Sequence, residues 1–309
     1  MSSDPSRTTM DRMELQQLRY VVAVADTGGF TRAAERCHVV QSALSHQIGK
    51  LERELGARLF DRTSRRVRPT RAGEAFLPAA RATLAAAERA RAEVAAATGE
   101  VRGRLAIGAI PTVAAVDLPA ALRTFHDTYP QVRISLATGA SEHLVRAVAE
   151  GTYDLALLGV PAGFRAEKVH ERVLVRDRHL AVVPPDHPLA DAGETDLARL
   201  AEETFVDFAA GTAARAQSEE AFTAAGLRRR VGFEVSSMDF LADLVRAGLG
   251  VALLPSTFAP RLTGLATVRV ANGPSREERL VWPRSRPAPA AAAFLHSLGV
   301  DAAADDPAG

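Results

Sequence analysis

Apolar residues recur three and four positions apart through roughly the first hundred residues; beyond them short apolar runs alternate with helical patterns. Leu15, Leu18, Val22 and Ala25 predict a first helix, broken by Asp26-Thr27-Gly28-Gly29. Thr31 is placed to N-cap a short second helix carrying Ala33, Ala34 and Cys37. After the turn His38-Val39-Val40, a third helix is expected from Gln41 to Leu55, stopped by Gly56. Its buried stripe is Leu44, Ile48, Leu51 and Leu55. The opposite face carries Ser42, His46, Gly49 and Arg53, flanked by Ser45 and Lys50.

Two short helices joined by a tight turn form a helix-turn-helix, whose second helix enters a DNA major groove. Gln41, Ser42, Ser45 and His46 carry the hydrogen-bonding groups that base edges require, with Thr31 and Lys50 nearby. Leu59-Phe60 to Pro69-Thr70 reads as a two-stranded wing with an arginine-rich tip. Arg62, Arg65 and Arg66, with Arg53, are candidates for phosphate or minor-groove contacts. Residues 13–70 thus read as a winged helix-turn-helix, preceded by a disordered extension, 1–12, in which Met1 and Met10 compete with Met13 as the start.

Residues 71–99 read as one long helix capped by Thr70 and bent near Pro78. Its stripe of Leu77, Ala80, Leu84, Ala87, Ala90 or Arg91, and Val94 fits either a solvated helix or an alanine-lined dimer seam. Dimerisation is the preferred reading, because a two-fold axis presents two recognition helices to a pseudo-palindromic site. The hinge is 100–103. Then come a strand at 104–109, a helix start at Ile110-Pro111-Thr112, a strand at 132–137, a helix at 141–151 and a strand at 154–158. That order predicts a parallel sheet with helices on its faces. Further strands are expected near 171–175, 180–184, 205–208, 231–235 and 251–254, with helices at 213–225 and 238–247. Leu280–Pro283 returns to the first sheet, and 288–298 forms a last helix. The result is an α/β architecture of two lobes around a cleft: lobe I of about 102–171 and 275–300, lobe II of about 172–270, then a disordered tail, 301–309.

Composition sharpens this picture. Residues 1–100 hold 16 Lys/Arg against 12 Asp/Glu, a surplus of four positive charges, while the remainder holds 22 against 25. A basic first third on an acidic remainder suits a nucleic-acid module joined to something else. A single cysteine, Cys37, excludes an internal disulfide framework and reads as a small buried hydrophobe. No apolar run approaches a membrane span, and no secretory core is evident, so a cytoplasmic location without membrane contact is expected. His126, His143, His170 and His187 show no metal spacing, Ser135, Ser141 and Ser236 no nucleophile setting, and there is no phosphate-binding glycine loop. The chain is therefore read as a non-enzyme without metal or cofactor. Its rival is a transport or enzyme protein with an incidental helical arm. Lys168 is the sole lysine after residue 101, which leaves arginine as the partner for an anionic ligand.

Gly29-Phe30-Thr31-Arg32-Ala33-Ala34-Glu35, Gln41-Ser42-Ala43-Leu44-Ser45-His46-Gln47-Ile48, Leu55-Gly56-Ala57-Arg58-Leu59-Phe60-Asp61-Arg62 and Thr70-Arg71-Ala72-Gly73-Glu74 resemble the LysR-type transcriptional regulator family. So do Gly151-Thr152-Tyr153-Asp154-Leu155-Ala156-Leu157, Asp186-His187-Pro188-Leu189-Ala190 and Ala247 to Pro255, which are similar to that family's effector domain. Val40 and Gly49 depart from the family pattern: the first removes a Ser/Thr cap, unless Ser42 caps one turn later, and the second removes a long outward side chain. The resemblance implies a periplasmic-binding-protein-like effector domain that binds a small molecule. By position it implies effector contacts at Ile110, Pro111 and Thr112 in the first lobe, Phe208, Gly211 and Thr212 in the second, and Met238 near the hinge. It also implies double-stranded promoter DNA as partner, a homodimer or homotetramer, and room for a contact with RNA polymerase.

Overall fold

The structure, a computed structural model, describes residues 13–63 and 66–301, without the side chains of residues 62–66 and 213. The expected extension 1–12, the tail beyond Asp301 and Arg65 lie outside the described residues. The chain divides into two compact units at Arg91/Ala92.

The first unit opens with α1 (Leu15–Thr27), α2 (Phe30–Arg36) and α3 (Gln41–Leu55). Apolar residues cover so much of α1 that two stripes overlap. Packing selects Leu18, Val21 and Val24 with Tyr20, and leaves the expected Leu15 exposed. Gln17 is also buried, because its amide is in use: Oε1 accepts the Glu14 N–H (2.9 Å), and Nε2 reaches Gln47 of α3. Thr31 does not cap α2. Gly29 stands at that position and Thr31 lies exposed within the helix. Phe30 enters the helix first because its ring turns inward to meet Phe60 edge-on at 6.0 Å.

Val40 is the N-cap of α3 without any side-chain hydrogen bond. Its carbonyl still accepts from Ala43 and Leu44, so the helix starts without the cap that Ser42 would have supplied one turn later. Leu44, Ile48 and Leu51 are buried, whereas Leu55 is exposed at the last turn, where Gly56 adopts φ 66° and ends the helix. Glu52 then fixes the chain's exit, its Oε1 accepting from the N–H groups of Leu59 (2.7 Å) and Phe60 (3.3 Å). β1 (Phe60–Thr63) pairs antiparallel with β2 (Arg66–Pro69). Thr70 closes the hairpin by donating to the Arg58 carbonyl and caps α4 (Arg71–Ala97) by accepting from Gly73. Asp26 of α1 is shared by Arg36 of α2 and Arg81 of α4.

In the second unit, β3 (Gly103–Ala109), α5 (Leu118–Thr128), β4 (Val132–Thr138), α6 (Ser141–Ala149) and β5 (Leu155–Val160) form the expected parallel order β4-β3-β5. Ile110-Pro111-Thr112 is not a helix start. α5 begins later, where Asp117 accepts from Ala120. The strands expected at 171–175 and 180–184 are one strand, β6 (Val169–Val183), which runs from the first lobe into the second. Charged residues of β6 interrupt the apolar pattern midway, because there the strand faces ion-pairing partners.

The second lobe holds β7 (Glu194–Asp196), α7 (Leu197–Ala201), β8 (Thr204–Phe208), α8 (Ala213–Ala224), β9 (Arg230–Val235), α9 (Met238–Arg246), β10 (Ala252–Pro255) and β11 (Ala266–Ala271). β12 (Ser275–Pro283) returns antiparallel between β5 and β6, and α10 (Pro289–Ser297) covers Trp282. Of these, β7, α7 and β11 left no readable sequence signal. One core gathers Leu105, Ile107, Phe125, Trp282 and Phe294; another gathers Val183, Leu200, Phe205, Phe222 and Val268.

Two glycines of the first unit should respond oppositely to alanine. A Cβ on Gly73 would stand 2.1 Å from the Leu59 carbonyl oxygen, while one on Gly49 meets nothing within 4 Å. Gly49→Ala should stabilise the unit by about 0.5–1 kcal/mol, and Gly73→Ala should destabilise it by more than about 1 kcal/mol. Urea melts of the two variants, followed by circular dichroism, check both signs.

Candidate functional site

α3 presents one polar face. Gln41, Ser42, His46 and Arg53 are exposed, with Ser45 and Lys50 half-buried beside them. Gly49 leaves a notch in that face, and the Arg53 guanidinium folds back to the Gly49 carbonyl at 3.2 Å. Arg66 of β2 pairs with Thr63 at the end of the hairpin away from Phe60, and Arg62 of β1 pairs with Val67 beside it. The sequence reading passed over Arg68, exposed on β2, although it belongs to the same arginine run. The Val40 side chain is 68% exposed at the start of α3.

A cavity of about 260 Å³ lies within the second unit. The loop after β3 supplies Ile110, Pro111 and Thr112, and the second lobe supplies Phe208 and Thr212. Gly211 and Met238 do not line it. Gly211 makes a left-handed turn (φ 84°) that positions Thr212 as the cap of α8, and Met238 packs into the second lobe's core. Among the lining residues that escaped the sequence reading are Ser141, His179, Asp207, Gln217 and Arg276. Ser141 grips Gly159, its Oγ accepting from the Gly159 N–H and donating to its carbonyl. Gln217, from α8, donates to the same carbonyl at 3.1 Å and so ties the second lobe to β5.

The floor is a buried polar cluster on the two crossing strands. Arg276 on β12 faces Asp177 on β6 as a cross-strand partner and is 3% exposed. Its guanidinium donates to Thr112 Oγ1 (2.8 Å), to the Thr112 carbonyl (3.1 Å) and to Glu278 (3.4 Å), with Asp177 at 3.8 Å. Asp177 accepts from the backbone and hydroxyl groups of both Ser256 and Thr257. Burial pushes its carboxyl up, but these hydrogen bonds and the Arg276 charge outweigh burial and hold it below the usual range. Glu278 accepts from the N–H groups of Ala114 and Ala115, and burial raises its carboxyl above the usual range. His179 donates from Nδ1 to the Pro274 carbonyl at 3.2 Å. Burial first, and the Arg276 charge second, lower it to about 4. Among the described residues no three of His, Cys, Asp and Glu come together to hold a metal ion. No described helix is long and apolar enough to cross a membrane.

His179 makes a pH prediction. Its folded-state value lies below its ordinary 6.5, so the unfolded chain binds the proton more readily between about pH 6.5 and 4. Stability is therefore full above that window and falls as pH drops through it, by about 3 kcal/mol at most. Denaturant melts at pH 7, 5.5 and 4.5 should show the loss, and His179→Asn should flatten that part of the slope.

Residues 15–74 match the model described as bacterial regulatory helix-turn-helix protein, lysR family, and residues 98–301 match that of the LysR substrate binding domain. The transcriptional dual regulator GltC of Bacillus subtilis is 35% identical over 256 residues, 81% of this chain and 85% of its own. Full-length CbnR complexed with its target DNA superposes with a TM-score of 0.68 at 25% identity, covering 93% of this chain and 99% of that one. A full-length OxyR variant from Pseudomonas aeruginosa gives 0.69 at 28% identity, covering 94% and 96%. These matches span both units, and they are to transcriptional regulators rather than to enzymes. A winged helix-turn-helix followed by a two-lobed substrate-binding domain, matched along nearly its whole length, makes this chain a member of the LysR family of DNA-binding, ligand-responsive transcriptional regulators.

Proposed function

We propose that this regulator reads promoter DNA with α3 and the β1–β2 wing, and that a small molecule seated in the cavity of the second unit sets the outcome. The observation that carries the DNA assignment is the exposed polar face of α3. Gln41, Ser42, Ser45 and His46 are the base readers, with Thr31 and Lys50 beside them, and Arg53, Arg62, Arg65 and Arg66 neutralise phosphates or enter the minor groove. The capture of CbnR on its target DNA supports this use of the domain. Residues 13–70 are the DNA-binding domain, 71–99 the dimerising helix and 102–300 the effector domain. The protein acts in the cytoplasm as a dimer or tetramer, with RNA polymerase as a further contact at the promoter.

The ligand domain contains no cysteine, since the chain's single one is Cys37. The signal is therefore read by binding and not by thiol oxidation. Ile110, Pro111, Thr112, Phe208 and Thr212 are the proposed wall contacts; Gly211 and Met238 act from behind them, by shaping the turn and the core.

Two measurements test this reading. In shift assays with the region upstream of the gene, Arg65→Ala should weaken binding to every sequence and flatten the salt slope by about one unit. His46→Ala should instead change site preference, by about 1–3 kcal/mol; an unchanged preference removes His46 from the base readers. Linkage supplies the second. If the cavity governs DNA binding, operator DNA changes ligand affinity by the same factor that ligand changes operator affinity, about 5–150-fold for a typical coupling. Calorimetric titrations with and without operator should differ accordingly; equal affinities would disconnect the cavity from the DNA.

A further inference from the structure

Arg276, positively charged and on the cavity lining, invites the reading that the cavity holds an anion. The cluster around Arg276 contradicts that reading. Asp177 lies opposite the guanidinium and Glu278 beside it, both fully buried side chains. With both carboxyls ionised the cluster carries one net negative charge; with Glu278 protonated it carries none. In neither state is a positive charge left for a ligand. The other charge on the wall, Asp207, is matched by Arg229 at 2.6 Å. The N-terminus of α6 already meets Glu142 in its first turn.

The polar atoms that remain open point the same way. Gln217 Oε1 and Arg276 Nε are enclosed and unpartnered, sealed from any ligand in this arrangement. His179 differs. The Pro274 carbonyl can only accept, so Nδ1 carries the proton and Nε2 is a bare acceptor. Among the described residues no donor reaches Nε2, and the ring, 3% exposed, lines the cavity. An acceptor beside a cluster of net charge zero or minus one, walled by Ile110, Phe208, Val235, Leu253 and Leu254, repels a carboxylate, leaves the charge of an ammonium without solvation and receives a neutral donor.

We propose that the cavity takes a small uncharged ligand that donates an O–H or N–H to His179 Nε2 while its apolar body packs on these walls, and that it discriminates against carboxylates. At about 260 Å³ the space is at the small end of ligand sites. The proposal rests on the reading of this cavity as the effector site and narrows it to a chemical class.

The test uses the full-length protein and four probes of one carbon skeleton: 3-methylbutan-1-ol, 3-methylbutanamide, 3-methylbutanoate and 3-methylbutylamine, titrated at pH 7.5 up to about 50 mM by ligand-observed NMR. The alcohol or amide should bind at least about tenfold more tightly than the carboxylate and the ammonium, a preference of about 1.4 kcal/mol or more. His179→Phe should remove the preference, and the histidine Nε2 resonance of the unmutated protein should shift with the alcohol or amide alone. Ser236→Trp, at the exposed rim, should block binding of either. A carboxylate bound as tightly as the amide, and blocked by Ser236→Trp, overturns the ligand class while the effector site stands. Binding indifferent to Ser236→Trp overturns the site itself. Absence of binding by all four overturns the proposal, whose class they represent.

Discussion

A buried guanidinium needs compensation from every side, and Arg276 receives it from segments far apart in sequence. Thr112 comes from the loop after β3, Asp177 from the middle of β6, and Glu278 from its own strand. The acids are held in turn by the Ala114–Ala115 and Ser256–Thr257 backbones. Removing one member of such a cluster leaves an uncompensated buried charge, at about 3–5 kcal/mol. The cluster therefore specifies how β6 and β12 cross. A one-residue slip would turn Arg276 to the other face, where Arg176, Glu277, Arg279 and Glu171 already form a separate ion-pair network. The crossing strands fix the lobes' connection, and the lobes' connection is the cavity floor.

The helical unit is organised by the same logic at smaller scale. Gln17 links α1 to α3, Glu52 aims the wing, and Asp26 gathers α2 and α4 onto α1. The partly exposed ion pairs of Asp26 contribute about 0–1 kcal/mol each, so orientation rather than stability is what they supply. Orientation matters here, since a recognition helix reads base edges only when its face and its wing are held in one relation.

What could be read from the sequence was whatever has a local cause. Gly56 ends α3 because φ 66° suits glycine, and Thr70 caps α4 because its hydroxyl lies three residues from the N–H it serves. The parallel order of β3, β4 and β5 follows from alternating patterns. What could not be read depends on partners distant in sequence. Leu15 and Leu18 look equivalent along the chain until α2 and α3 choose between them. Thr31 looks like a cap until Phe30 is drawn inward by Phe60, thirty residues on. The middle of β6 looks like a loop because its charges, Arg176 and Asp177, find their partners about a hundred residues later. His179, Gln217 and Arg276 are invisible as lining residues for the same reason. The family likeness gave positions on the two walls but said nothing of the floor.

That floor bears on how a ligand could act. Gln217 donates across from α8 to the Gly159 carbonyl that Ser141 also engages, and Arg261 donates to the carbonyls of Val113 and Ala114 in the first lobe. The lobes are thus joined at their walls by hydrogen bonds of about 0.5–1.5 kcal/mol each, and at their floor by a charge cluster whose disruption would leave a buried charge unpaired, at about 3–5 kcal/mol. Any motion between them would meet the least resistance at the walls, with the crossing strands as its pivot. A ligand alters such an equilibrium only through contacts that differ between the parted and joined states. A ligand contact on the floor would be present in both and supply affinity without response. A contact at the proposed wall residues Phe208 and Thr212 would change with the separation and supply the response. Affinity and switching would then be separable in this domain, the first set by the strands that cross and the second by the loops that face each other above them.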